Sequence, residues 1–93
     1  MANKPSGKLS EITARIVVRN IAQLRAAAGI TAEEAARRAG IGKRNYDYIE
    51  ASNDPGKTVK PPSLMAAFRL MESYGLTLND LVDPALSRKP RAD

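Results

Sequence analysis

The residues best placed for chemistry lie between Ala32 and Ala51. Read as a helix from about Lys43, the run KRNYDYIEA puts Lys43, Arg44, Asp47, Tyr48 and Ala51 on one side, at i, i+1, i+4, i+5 and i+8. Tyr46 and Ile49 share the other, inward side. Cations and a phenol on one face offer donors to an anionic partner rather than a reaction centre. Catalysis is poorly supplied. The chain has no Cys and no His, which removes thiol nucleophiles, the usual zinc ligand sets and histidine acid–base chemistry. Glu33 and Glu34 are adjacent at a helix start and read as first-turn acids, not as a catalytic pair. Gly40-Ile41-Gly42-Lys43 falls short of a phosphate loop. Arg37 stands where the first glycine belongs, Arg44 follows the lysine in place of Ser or Thr, and no strand precedes it. The reading is non-enzymatic, with no metal and no cofactor.

The elements that must hold this face are helical. The 93 residues are 43% apolar and 4% aromatic, which predicts one small domain with a core of aliphatic side chains and alanine. A first helix is expected from about Ser10, a candidate N-cap, to Ala28. Val17, Ile21, Leu24 and Ala28 form its stripe, and Gly29 ends it. Thr31 with Glu34 three residues on has the capping-box pattern for a second, short helix that ends at Gly40. A tight turn, Gly40-Ile41-Gly42, leads to the third helix, Lys43 to Ala51, with Ile41 pointing inward. Ser52 to Pro62 reads as a loop with a turn at Asp54-Pro55-Gly56. Ser63 caps a fourth helix whose expected apolar face is Leu64, Ala67, Phe68 and Met71, and Gly75 ends it. A fifth runs from Leu78 to Val82. The expectation is an all-α, five-helix domain over residues 10–83. A flexible basic arm precedes it at residues 1–9, and a flexible basic tail follows at 84–93.

Ala35, Ala36 and Ala39 are small where the second helix would cross the third, which permits close packing. Two short helices about a glycine turn are the helix-turn-helix arrangement, whose second helix enters the major groove of DNA. The run NIAQLRAAAGITAEEAARRAGIGKRNYDYIE, Asn20 to Glu50, resembles the XRE family of bacterial and phage regulators, which share the λ repressor and Cro DNA-binding fold. PSLMAAFRLMESYGLTLNDLV, Pro62 to Val82, is similar to that family's fourth and fifth helices. The resemblance implies a buried ion pair between Arg25 and Glu50. The chain departs from the family at Ala32, where Gln is frequent, at Ala35, where Leu is usual, and in a longer loop after Glu50.

With the helical phase, the resemblance implies base reading by Lys43, Arg44, Tyr48 and Asn45, the last able to reach either a base or a phosphate. Asp47 either accepts from a cytosine amino group or restrains Arg44. Phosphate contacts fall to Thr31 at the start of the second helix, to Lys57 and Lys60, and to Ser63. Lys4 and Lys8 could extend an arm round the duplex. The net charge of +5 suits a polyanion.

The implied partner is double-stranded DNA, bound by a homodimer reading an inverted repeat with recognition helices about 34 Å apart. The dimer surface is either helix five with the segment to Leu86, or Ile12 and Ile16 on helix one. The latter two could instead pack under the N-terminus. The implied function is a transcriptional repressor of phage or mobile-element type. The alternative is an antitoxin or adaptor that acts on a protein partner such as a toxin. No apolar run suits a membrane span or a signal peptide, so a cytoplasmic location is expected.

Overall fold

α1 spans Gly7–Ala28 and is the spine of the domain. The computed structural model describes the backbone of residues 7–86 and the side chains of residues 12–86. α1 therefore starts before the expected Ser10 cap, and residues 7–9 are helical rather than part of an arm. Val17, Val18, Ile21 and Leu24 are buried along it. Ala28 shares their phase but is exposed. It lies in the last turn, where residues 26–29 are all exposed before Ile30 returns to the edge of the core.

α2 (Ala32–Ala39), α3 (Lys43–Ala51), α4 (Leu64–Ser73) and α5 (Leu78–Leu81) complete the fold, and no strand occurs among the described residues. α2 buries Ala35, Ala36 and Ala39 against α3 and α4. Its cap is half of the expected box. Thr31 Oγ1 accepts from the Glu34 N–H at 3.1 Å, but the Glu34 carboxylate turns to Arg37 and Arg38 instead of reaching back. Those two guanidiniums lower its pKa to about 2. The complete capping box is at α5, where Thr77 and Asp80 satisfy each other's backbone N–H.

α4 corrects an expectation. Ser63 caps it as predicted, accepting from the Ala66 N–H at 3.1 Å. Its buried face is Ala66, Ala67, Leu70 and Met71, while Leu64 and Phe68 are 74% and 48% exposed. The inward face joins two alanines to Leu70 and Met71 where α4 packs on α2, and Leu64 and Phe68 are turned to the outside.

The loop between α3 and α4 is tied down at several points. Asn53 Nδ2 donates to Val18 O at 3.1 Å, Asp54 Oδ1 accepts from the Gly56 N–H at 3.0 Å, and Val59 enters the core. Residues 84–86 also belong to the domain rather than to a tail. Arg19 Nη2 donates to Pro84 O at 2.9 Å, and Leu86 is buried. Asn20, itself 1% exposed, donates to Leu81 O and Asp83 O at 2.7 and 2.9 Å, clamping α5 to α1. Leu86 is committed to this core and is not an exposed dimer contact. Lys4 and the basic residues after Leu86 lie outside the described residues.

Candidate nucleic-acid interface

The geometry of α3 begins at Gly40. Its φ of 71° closes α2, and its N–H donates to Ala36 O and Arg37 O. Only glycine adopts this left-handed conformation without strain. From α4, Arg69 Nη1 donates to Gly40 O at 3.3 Å, so the turn is held from outside as well. Ile41 packs at the core edge and its N–H donates to Ala36 O at 3.0 Å.

α3 is anchored by Tyr46 and Ile49, 0% and 2% exposed. Tyr46 Oη donates to Glu50 Oε2. Arg25 completes the cluster, with Nε 2.6 Å from Glu50 Oε2, Nη2 3.0 Å from Oε1 and Nη1 donating to Ile30 O at 3.0 Å. The pair ties α1 to α3. It is partly rather than fully buried, the side chains being 28% and 18% exposed. Burial alone would raise the Glu50 pKa. The bonds from Arg25 and Tyr46 outweigh it and leave the carboxyl below its ordinary value. The same cluster raises Arg25, and burial raises Tyr46, so both stay protonated at neutral pH.

With the inner side fixed, Lys43, Arg44, Asn45, Asp47 and Tyr48 all stand exposed on α3, Tyr48 at 63%. Arg44 carries no ion pair among the described residues. Asp47 binds Lys43, with Oδ2 2.7 Å from Nζ, rather than restraining Arg44. That bond raises the Lys43 pKa.

A cleft of about 330 Å³ runs between α3 and the start of α4. Asn45 and Tyr48 line it from one side, Lys60 and Ser63 from the other. The structure thus brings four of the candidate contacts together. Thr31 stands exposed at the start of α2, its oxygen engaged by Glu34. Lys57 is placed apart, because its carbonyl accepts from Arg15 Nη2 at 3.3 Å, beside α1. A second groove, about 460 Å³, is formed on α1 by Ile12, Arg15, Ile16 and Arg19 with Asn53. Ile12 is 51% exposed there and Ile16 half-buried.

Sequence reasoning missed the Arg69 brace and the Lys43–Asp47 pair. The second was legible as an i, i+4 spacing of opposite charges on a helix.

No curated protein and no solved structure matches the chain. The sequence pattern of the helix-turn-helix domain family matches residues 17–84, a span that takes in α2, the glycine turn, α3 and the helices that brace them. With this match over most of its length, and with α2, the glycine turn and α3 arranged as a helix-turn-helix, the chain belongs to the helix-turn-helix domain family.

Proposed function

We propose that the protein is a sequence-specific regulator of the XRE, λ repressor-like type, a cytoplasmic repressor of phage or mobile-element kind. It binds the major groove of an inverted repeat as a homodimer. The observation that carries this reading is the two-sided character of α3. Tyr46 and Ile49 hold the helix in the core while Lys43, paired with Asp47, and Arg44 are exposed on its outer side, and Asn45 and Tyr48 face Lys60 and Ser63 across the cleft. In this reading Arg44 bridges guanine N7 and O6, Lys43 donates to base acceptors, and Asn45 and Tyr48 reach a base edge or a phosphate. The α4 N-terminus at Ser63, Lys60, Lys57 and the α2 start at Thr31 take phosphates. Occupying a promoter is enough to repress it. With Leu86 inside the core, the twofold contact falls to α5 near Val82, which is 47% exposed, or to Ile12 and Ile16.

Fluorescence anisotropy against DNA from the gene's own upstream region, beside a scrambled duplex over a salt series, tests this. The expected result is a preference of about a thousandfold or more for the native duplex. Absence of binding at low salt overturns the reading. The α1 groove, aliphatic at Ile12 and Ile16 and flanked by Arg15 and Arg19, favours a second one: an antitoxin or adaptor that docks a protein partner there. A co-purifying toxin whose capture fails in Ile16→Asp, with DNA binding intact, supports it.

A further inference from the structure

An acid on the outward face of α3 is unexpected on a surface that meets a polyanion. Asp47 is about half exposed, and its one hydrogen-bonded partner among the described residues is Lys43, one turn earlier at 2.7 Å. Two things follow from that pairing. The positive charge of Lys43 is cancelled locally, so Arg44 remains the one unneutralised cation on the face. The ammonium of Lys43 and the carboxylate of Asp47 are also presented side by side, as a donor next to an acceptor.

A carboxylate can only accept. In the major groove, cytosine and adenine offer an amino donor, whereas guanine and thymine present acceptors alone. Opposite guanine or thymine the Asp47 oxygens would meet lone pairs, and beside a phosphate they would meet like charge. Resting on the DNA-reading function above, we infer that Asp47 is a specificity-determining residue. It accepts from a cytosine amino group at one position of each half-site, with Lys43 held beside it for a neighbouring guanine, and it weakens binding to every duplex that lacks this match. Discrimination here works by penalty as much as by attraction. The i, i+4 pair is solvent-exposed and weak, so Asp47 can exchange part of its bond to Lys43 for the base without a large cost.

Selection from a random-sequence duplex pool, followed by sequencing, tests this with the full chain and with Asp47→Ala, Asp47→Asn and Arg44→Ala. Anisotropy against one fixed scrambled duplex accompanies it, and circular dichroism checks that each variant is folded. The wild-type motif is expected to carry a cytosine that Asp47→Ala relaxes by about fivefold or more. The same variant should bind the scrambled duplex about two- to fivefold more tightly, because a like charge has been removed. Asp47→Asn should shift the preference at that position towards adenine, whose N6 and N7 suit an amide. A motif that Arg44→Ala alters and Asp47→Ala leaves unchanged overturns the assignment of Asp47 alone. A wild-type selection that enriches no motif overturns the DNA-reading function and this inference with it.

Discussion

Glu50 shows how one side chain joins fold and site. Its carboxylate takes bonds from Arg25 on α1 and Tyr46 on its own helix, and so sets how α3 is seated. Its pKa is lowered from the ordinary 4.5, which gives stability a definite pH dependence. The contribution is complete above the ordinary value and is lost as pH falls through the lowered one, because the unfolded chain takes up the proton first. Glu50→Gln should therefore flatten the acid limb of a melting-temperature profile below about pH 5, while Glu72→Gln, exposed on α4, serves as the control. Glu50→Ala, which removes the carboxylate that both Arg25 and Tyr46 bond and leaves Arg25 only the Ile30 carbonyl, should cost about 2–4 kcal/mol, between the values for exposed and sealed pairs. A thermal melt matching wild type would show the cluster to be idle.

At the interface, Arg44→Ala should weaken specific binding by about 1–3 kcal/mol and relax one base position, read from a binding-site profile. Lys60→Ala and Lys57→Ala should separate. Lys60 lies in the cleft beside α3, so its loss should reduce the salt slope by about 0.9. Lys57 sits beside α1, so a smaller change is expected there.

At the scale of the element, the turn between α2 and α3 depends on backbone conformation more than on space. A Cβ added at Gly40 would meet nothing nearer than Arg69 Nη1 at 4.0 Å, yet φ is positive there. Gly40→Ala should cost about 1–2 kcal/mol from that conformation alone, seen as a lower denaturant midpoint. A midpoint equal to wild type would mean that the turn relaxes freely. Thr77→Ala removes half of the capping box on a helix only four residues long, and about 1 kcal/mol should go with it. Helix identities and ends were readable here because caps and glycines act locally: Thr31, Gly40, Ser63 and Gly75 mark the boundaries seen. The facing of α4 was not. Leu64-Phe68-Met71 and Ala67-Leu70-Met71 are both valid stripes, and only the neighbour on the other side distinguishes them.

For the whole molecule, closure depends on the return of the chain to α1. Asn20 and Arg19 bind carbonyls of residues 81–84, and Leu86 fills the core between them. Leu86→Ala should cost about 2–5 kcal/mol, and hydrogen exchange should rise most in α5. An unchanged exchange pattern would mean that the segment merely rests on the surface. This return was hidden because residues 84–86 contain one apolar anchor and no periodicity, so they read as the start of a basic tail.

The sequence by itself determined what local rules control. It specified five helices, the N-caps Thr31 and Ser63, the glycine turn, the inward pair Tyr46 and Ile49, and the outward set Lys43, Arg44, Asp47 and Tyr48. Spacing on a helix assigns each residue to a face without knowledge of any neighbour. The tertiary structure decided what depends on neighbours distant in the chain. It set the facing of α4, the partial burial of Arg25 with Glu50, the separation of Lys57 from Lys60, and the inclusion of Leu86 in the core. Each of these rests on contacts between residues far apart in the chain or on which neighbour a helix face meets, and no local rule supplies that.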